Sequence, residues 1–414
     1  MRGWPILLML SCACSSTTEV FREVFSGGEG TGDGGSGGGG RVGAGGAPSV
    51  AGTGAASAGG GGSGGGDAGA SGGAVAGAGG SSGGCRPGFA GASCQDPVFV
   101  PLGRPTGALS AAALATNSDG TVVVGDWSPD PDAGLAPPEF PQVFRWTAAT
   151  GMEVLPVYPG DVGSRAVGVS GDGTAILVGS FLPSALSRAV LWRGSTAIDL
   201  GLEPTDPLWP QDVSADGRVA VGIVGTSAFV YRDAHGSRTL PVLAGATQAG
   251  ASAVNADGTI IVGGVVIDGQ GVAVRWTFDG STDSPEAIGP QGSTSAVSAD
   301  GSVIVANAPH PVRWTAEQGA VDLGVLAALG VTSAIGTDMS DDGSVIVGNT
   351  YPSGSWIWRE STGARALTEV LAEAGLELAG WSIPSVYISG DGRVLVGTAV
   401  TPDPETIAWL AGLP

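Results

Sequence analysis

The chain has 414 residues, and its composition is dominated by 76 Gly and by an excess of negative charge. It carries 38 acidic residues against 17 basic ones, every one of which is Arg. The formal net charge of −21 excludes the positive groove that nucleic acids require, so we expect no nucleic-acid partner. We interpret the charge as a determinant of solubility, with a cation-binding role as the alternative.

Residues 1–14 are typical of a bacterial export signal, with Arg2 ahead of an apolar run too short to span a membrane. The signal ends in Leu10-Ser11-Cys12-Ala13-Cys14, which resembles the lipobox of bacterial lipoproteins. The resemblance implies a lipid on Cys14, or on Cys12 as the alternative. It predicts attachment to the membrane at the bacterial outer membrane or cell surface. Secretion without lipid is the other reading.

Residues 15–84 are predicted to be a disordered linker, because 27–84 are almost entirely Gly, Ala and Ser. Such a composition buries too little apolar surface to offset the entropy lost on ordering. The prediction is therefore a flexible tether between the lipid anchor and a folded domain.

A short cysteine-bounded loop lies in residues 85–97, directly after the linker. The run Cys85-Arg86-Pro87-Gly88-Phe89-Ala90-Gly91-Ala92-Ser93-Cys94 resembles the last loop of an epidermal-growth-factor-like module. The resemblance implies a disulfide between Cys85 and Cys94, which suits an exported protein. We interpret the loop as a turn at the end of the linker. With these two paired, lipidation of Cys14 would remove Cys12 with the signal and leave no odd thiol.

Residues 98–414 contain one motif written seven times: Asp-Gly, one or two spacer residues, an apolar triplet, and usually Gly. Successive copies are 53, 44, 41, 43, 42 and 49 residues apart, which indicates one repeated supersecondary unit. Each Asp-Gly predicts a hairpin turn, and each unalternating triplet predicts a strand covered on both faces. The turn residues are Asp119, Asp172, Asp216, Asp257, Asp300, Asp342 and Asp391.

Another apolar segment of each repeat ends in an aromatic residue, which we predict to pack between neighbouring sheets. A ligand channel lined by these rings is the alternative. The residues are Trp146, Trp192, Tyr231, Trp276, Trp314, Trp358 and Trp409. Arg stands beside six of the rings, as Arg145, Arg193, Arg232, Arg275, Arg313 and Arg359. We expect these Arg to pair with neighbouring carboxylates, the turn Asp among them, and anion recognition is the alternative.

Four short strands in each of seven ~45-residue repeats predict an all-β, seven-bladed β-propeller. In this count Val98–Gly103 is the first strand of the first unit, and seven whole units result with none left over. One helix is expected, over Thr368–Ala374, with Thr368 as its N-cap and Gly375 after its end. We expect a monomer.

The repeats resemble the HAF family of probable extracellular repeat proteins. The matching residues include Val213-Ser214-Ala215-Asp216-Gly217 followed by Ser227-Ala228-Phe229, in which Ser227 replaces the family's His. The C-terminal match is more specific, through Leu371–Trp381, Ile388–Gly392 and Ala408–Pro414. The resemblance covers roughly residues 98–414 and implies an exported, repetitive protein; the family carries no agreed activity.

The sequence offers little catalytic chemistry, and no catalytic residue is assigned. Its two His residues, His235 and His310, lie in predicted loops, and the Gly-x-Ser-x-Gly patterns fall in the linker, where composition alone produces them. The turn Asp lack the spacing of the sialidase Asp-box. Asp126, Asp130 and Asp132, with Glu139, are candidates for a Ca²⁺ site; no other cofactor is expected.

The sequence leaves two hypotheses for the function of this protein. The first is a lipid-anchored, non-catalytic surface propeller that binds a protein or polysaccharide, or serves as envelope structure. The second is a propeller hydrolase that acts on glycans. A hydrolase needs two or more carboxylates, or a carboxylate with Arg or His, converging in one pocket, so the lining of the central channel distinguishes the two.

Overall fold

The structure, a computed structural model, describes residues 85–413 except 91–93, 131–139, 185, 203–205, 290–291 and 308. The predicted export signal and Gly-rich linker lie outside the described residues. Within the described part, no helix is both long and apolar enough to cross a membrane.

The described chain begins with a two-stranded ribbon, followed by seven four-stranded antiparallel sheets. The ribbon pairs β1 (Phe89–Ala90) with β2 (Asp96–Pro97), and β3 (Phe99–Gly103) follows. Blade 1 contains β4 (Ala108–Thr116), β5 (Val122–Pro129), β6 (Gln142–Thr147) and β7 (Gly151–Val154). Blade 2 contains β8 (Gly163–Val169), β9 (Ala175–Phe181), β10 (Ser187–Arg193) and β11 (Thr196–Asp199).

The middle blades repeat the same order. Blade 3 contains β12 (Leu208–Val213), β13 (Val219–Val224), β14 (Ser227–Arg232) and β15 (Gly236–Thr239). Blade 4 contains β16 (Ala246–Val254), β17 (Ile260–Ile267), β18 (Gln270–Phe278) and β19 (Asp283–Gly289). Blade 5 contains β20 (Ser293–Val297), β21 (Val303–Asn307), β22 (Pro311–Thr315) and β23 (Gly319–Asp322).

The last two blades complete the ring. Blade 6 contains β24 (Ala334–Met339), β25 (Val345–Thr350), β26 (Ser355–Arg359) and β27 (Gly363–Ala366). Blade 7 contains β28 (Ser382–Ile388), β29 (Val394–Val400) and β30 (Thr406–Gly412), with β3 as its fourth strand. The predicted all-β, seven-bladed propeller is therefore confirmed.

The position of β3 corrects the predicted division into repeats. Val98–Gly103 was expected to open the first unit, but β3 pairs with β30 and is the outer strand of blade 7. Each predicted unit starts one strand too early, because its first strand is the outer strand of the preceding blade. The ring is thus closed by pairing the first large strand of the domain with the last.

In five of the seven blades the glycine that ends the apolar triplet is explained by a close backbone contact inside the blade. At Gly263 an added Cβ would overlap the carbonyl oxygen of Gly250 on the innermost strand, and the same overlap occurs at Gly125, Gly222, Gly348 and Gly397. In four of these blades an aromatic ring from the next strand covers the glycine, for example Trp356 over Gly348. The glycine therefore allows the innermost strand to approach its neighbour.

The Asp-Gly turns share one hydrogen-bond pattern. In blade 2 the Ser170 hydroxyl donates to Asp172 at 2.6 Å and accepts from the backbone N–H of Ala175 at 2.9 Å. Asp172 in turn accepts from the N–H of Thr174 at 2.9 Å, and Gly173 has a φ of +74° that glycine adopts without strain. The Ser two residues before the Asp is thus part of the turn.

Two short helices join blades 5 to 6 and 6 to 7. The first, α1 (Val325–Leu329), was not predicted. The second, α2 (Leu367–Glu373), matches the predicted helix but begins after Ala366, and no side chain caps its N-terminus. Thr368 is therefore inside the helix and is not its cap; Leu367 before it is already helical and is buried in the core, 1% exposed.

Candidate functional site in the central channel

The seven innermost strands surround a cavity of about 480 Å³ on the ring axis. Small side chains leave this space open, among them Ala115, Gly168, Ala253 and Ala296 from four different blades. The blades therefore differ chiefly in the few larger side chains that line the channel.

Two aspartates hold equivalent places in the channel wall, at the β-bulge of the innermost strand in blades 3 and 6. Asp212 accepts the N–H of Val213 at 2.7 Å and, from the next blade, the N–H of Val254 at 2.8 Å. Asp338 does the same with Met339 at 2.8 Å and Ile388 at 2.9 Å. Each carboxylate therefore bridges two blades, and each oxygen keeps a second acceptor site.

Burial controls the ionisation of both carboxyls. It raises the pKa of Asp212 to about 7 against the two backbone hydrogen bonds, and the charge of Asp338 across the channel raises it further. Burial also raises the pKa of Asp338 to about 7, and the negative charge of Asp341 acts in the same direction. The channel therefore holds two carboxyl groups that gain or lose a proton near neutral pH.

Arg165 is the single basic residue among the described residues that line the channel. Its guanidinium lies 3.3 Å from Asp126 of blade 1, which also accepts the N–H of Ala166 at 2.6 Å. Burial raises the pKa of Asp126 to about 7, and the charge of Arg165 and the hydrogen bond from Ala166 oppose the rise. The positive charge of Arg165 is thus compensated locally and leaves the channel acidic.

One end of the channel is rimmed by the residues between Ser/Asn and Asp in the seven turns. Backbone hydrogen bonds connect neighbouring blades here, for example Ala299 N–H to Asp341 at 2.8 Å and Asp341 N–H to Gly390 at 2.7 Å. Asp341 is the charged member of this rim, and its side chain lies over Gly390, where a Cβ would collide with it. Burial and the charges of Asp391 and Asp342 raise the pKa of Asp341, and Ser118 opposes this by hydrogen bonding.

Trp209 of blade 3 also lines the channel and is 38% exposed, unlike the buried rings between the blades. It occupies the same register position in blade 3 as Arg165 in blade 2. Gln211, on the same strand, also lines the cavity, and its side chain makes no hydrogen bond with the residues that the structure describes. These side chains give one side of the channel an aromatic and polar surface.

The predicted turn aspartates lie at the hairpins between the first two strands of each blade, and none of them lines the channel. The Ser170 hydroxyl, followed by the N–H of Thr174, holds the pKa of Asp172 below its usual value. Hydrogen bonds from Ser302 and Ser340 do the same for Asp300 and Asp342. These carboxylates are ionised parts of the turns.

The seven aromatics do not share one environment. Trp276 is fully buried, and Trp146 and Trp192 are 8% and 7% exposed, but Tyr231, Trp314 and Trp358 are only partly buried. Trp409 pairs with Gly397, whereas Trp358 pairs with Ile346, so Trp409 occupies a different register position from the other six. The expectation of one fixed place per repeat is therefore wrong for Trp409. None of the seven lines the channel.

Two of the repeated arginines bridge neighbouring blades. Arg193 donates to the carbonyl of Gly217 in the next blade's turn and pairs with Asp233, at 2.7 and 2.8 Å. Arg232 donates to the carbonyl of Gly258 and pairs with the buried Asp283, at 2.6 and 2.7 Å. The partner carboxylates are thus not the turn aspartates; the turn is bound through its glycine carbonyl.

The remaining candidates that the structure describes do not line the channel. His235 packs against Phe278, and His310 lies 3.3 Å from Asp322. Of the Ca²⁺ candidates, Asp126 belongs to β5 and faces Arg165, whereas Asp132 and Glu139 fall outside the described residues. In the described part of the chain no group of three or more His, Cys, Asp or Glu could hold a metal. The Ca²⁺ site stays a prediction.

The Cys85–Cys94 disulfide is confirmed, with the two Cα atoms 5.2 Å apart. The loop that it closes is not a free turn, because Phe89 is 5% exposed and packs in the core between blades 7 and 1. The boundary expected at residue 98 therefore does not separate the loop from the propeller.

Asp212 and Asp338 were missed by the sequence analysis. Both stand four residues before a turn aspartate, at a position that is Ala or Gly in most other repeats. An acidic residue inside a predicted strand was the available signal. Whether such a side chain points into the channel depends on the β-bulge of the innermost strand, and the repeat pattern does not reveal the bulge.

Comparison with known proteins adds one resemblance. No protein-family model and no curated protein matches the chain. Among solved structures, the crystal structure of TolB from Acinetobacter baumannii is similar, at 13% identity and a TM-score of 0.38, covering 66% of this chain and 76% of that one. The resemblance to the HAF family stays a prediction.

Proposed function

We propose that this protein is a non-catalytic binding propeller whose central channel takes a positively charged ligand, such as a basic segment of a protein partner. The observation that carries the proposal is the charge of the channel. Asp212, Asp338 and Asp341 enter it, and its one Arg is already paired with Asp126. Carboxylates facing a confined space attract cationic groups more strongly than the same charges would at an open surface.

Binding of a fluorescently labelled tetra-lysine peptide tests this function, with a tetra-glutamate peptide as the probe control. We expect saturable binding of the lysine peptide alone. Gln211→Lys adds a positive charge in the channel without removing a described hydrogen bond, and it should weaken binding at least about tenfold. Glu286→Gln removes a negative charge from the exposed outer strand of blade 4 and should change affinity little. Equal effects of the two variants would contradict a channel site.

The hydrolase remains the second candidate because carboxyls with a pKa of about 7 converge in the channel, as a general acid and its partner do. Against it, both oxygens of each aspartate already accept a backbone hydrogen bond, one from the next residue and one from the neighbouring blade. Release of reducing sugar from bacterial cell-surface polysaccharides measures this function. Activity that Asp338→Asn abolishes while the melting curve stays cooperative would replace the binding proposal.

The proposal includes a lipid anchor, supported by the lipobox-like sequence around Cys12 and Cys14 and the Gly-rich segment behind it. Replacing both Cys12 and Cys14 by Ser should move the protein from the membrane fraction to the soluble fraction of expressing bacteria. The matched control, Cys85→Ser with Cys94→Ser, should leave the protein on the membrane. Membrane retention of the first variant would refute the anchor.

A further inference from the structure

The ring is closed inside blade 7, where β3 pairs with the non-consecutive strand β30, and the loop that carries Phe89 lies where this blade meets blade 1. Phe89 packs in a cluster with Leu102 and Val394 of blade 7 and Val123 and Phe144 of blade 1. The guanidinium groups of Arg86 and Arg393 lie 5.5 and 5.1 Å from the centre of its ring. The loop thus contributes an apolar side chain to both blades.

Arg86 bridges the turns of the same two blades. It forms an ion pair with Asp391 of blade 7 and donates to the carbonyl of Asp119 in blade 1. Burial opposes ionisation of Asp391, but the hydrogen bonds from Arg86 and Ser389 lower its pKa overall. A single side chain therefore holds together turns that are far apart in sequence.

A comparison of the blades shows which residue Arg86 replaces. Arg193 and Arg232 end the third strands of blades 2 and 3, and each donates to a carbonyl in the next blade's turn. The register of blade 7 places Gly412 at the equivalent position, opposite Val394 as Arg193 is opposite Ala175. No side chain there can reach blade 1, and Arg86 makes the kind of contact that Arg193 and Arg232 make from blades 2 and 3.

Gly412 is required because the loop backbone lies directly on it. A Cβ on Gly412 would overlap the carbonyl oxygen of Gly88, and a Cβ on Gly88 would lie 2.7 Å from the nitrogen of Gly412. The carbonyl of Gly88 accepts the N–H of Val98 at 2.8 Å, next to the start of β3. The loop therefore holds the closing strand from its N-terminal side.

We infer that the segment Cys85–Ala90 is a redox-sensitive lock on the ring, which holds blade 7 to blade 1 while the Cys85–Cys94 disulfide is intact. Both cysteines are partly exposed and can be reached by a reductant. A dithiol reductant breaks the S–S bond, each sulfur becomes a thiol, and the dithiol is oxidised to its own disulfide. The reduced loop gains conformational freedom, so Arg86 and Phe89 hold the contact less firmly.

Hydrogen exchange of the full-length protein, followed by mass spectrometry, tests the lock. Reduction by dithiothreitol is expected to accelerate amide exchange in β3 and β30 at least about tenfold and to lower the melting temperature by about 4 °C. Peptides of blades 3 to 5 should exchange unchanged. Thiol labelling counts the cysteines released, and failure of dithiothreitol to open the disulfide in the folded protein would overturn the redox sensitivity.

Variants separate the lock from general stability. Arg86→Ala should accelerate exchange in β3 and β30 without any reductant, and Cys85→Ser with Cys94→Ser should make exchange insensitive to dithiothreitol. Arg365→Ala removes a comparably exposed arginine that pairs with Glu373 beside blade 6, and it should leave the exchange of β3 unchanged. If reduced protein and Arg86→Ala both exchange β3 as slowly as the oxidised protein, the lock is refuted. This outcome would leave the channel proposal untouched.

Discussion

Trp276 shows what a single aromatic contributes between two sheets. Its side chain is fully buried with Val219 and Val221 of blade 3, and its indole N–H donates to the carbonyl of Pro241 at 2.6 Å. Trp314 belongs to the same register position but is only partly buried, beside Ile260 and Ile304. Equivalence along the sequence therefore does not imply equal burial.

We expect Trp276→Ala to destabilise the protein by about 3–5 kcal/mol, since it removes a buried ring and leaves the Pro241 carbonyl without its donor. Trp314→Ala and Trp358→Ala should cost less, because solvent already reaches both rings. Thermal melts of the three variants measure the order. Unchanged melting temperatures with lost ligand binding would instead favour a ligand role for these aromatics.

The buried carboxyls make the folded protein less stable as the pH rises from about 4 to about 7. Asp126, Asp212 and Asp338 have a pKa of about 7 when folded against 3.8 when unfolded, so the folded state binds more protons in between. Their contribution to stability is fully present below about pH 4 and is lost as the pH rises through about 7. The lowered pKa of turn aspartates such as Asp172 acts oppositely, since that stability is lost as the pH falls below about 4.

The melting temperature should therefore be highest near pH 4–5 and fall by several degrees towards pH 8. Asp212→Asn should reduce the slope between pH 5 and 8, whatever its effect on absolute stability, because one of the titrating groups is gone. Calorimetry across this range measures both curves. A melting temperature that rises steadily from pH 4 to 8 would show that these carboxyls are ionised in the folded state at all of these pH values.

At the scale of the strand, two adjacent glycines of β17 distinguish a required residue from a tolerated one. Gly263 faces the carbonyl of Gly250, which a Cβ would overlap, whereas a Cβ on Gly264 would meet nothing closer than 3.6 Å. Gly263→Ala is expected to cost about 1–3 kcal/mol by forcing the strands apart. Gly264→Ala should be neutral or slightly stabilising. Urea unfolding of the two variants compares them directly, and equal losses would contradict the close-approach explanation.

The strands were the most predictable part of the molecule. Asp-Gly and the apolar triplet depend on local turn chemistry and on burial of both faces, so they predicted the hairpins of all seven blades. The repeat pattern, however, is the same wherever the first residue of the unit is placed, so it does not fix the blade boundaries. The strand that closes the ring could therefore not be recognised from Val98–Gly103 alone. The site residues Asp212 and Asp338 depend on a bulge and on contacts between blades, which act beyond the reach of local pattern.

At the scale of the whole molecule, the linker and the closing strand should respond oppositely to deletion. Removing residues 15–78 is expected to leave the melting temperature unchanged, because that composition predicts no folded contacts. Removing 98–103 takes away β3 and leaves β30 with an unpaired edge, so we expect a poorly folded, aggregating protein. Melting curves and size-exclusion chromatography of the two variants test this. A stable monomer without 98–103 would mean that blade 7 does not need its fourth strand.

The pairing of β3 with β30 also sets the order of events during synthesis. Phe99 must wait for Ala411, its partner in the ladder, which the ribosome adds only after about 300 further residues. At roughly 5–20 residues per second this delay is on the order of tens of seconds. Blades 1 to 6 can form their hairpins as they emerge, but the circle stays open for that whole interval. Ring closure, with its contacts of very high sequence separation, is therefore the step at which we expect a slow folding phase.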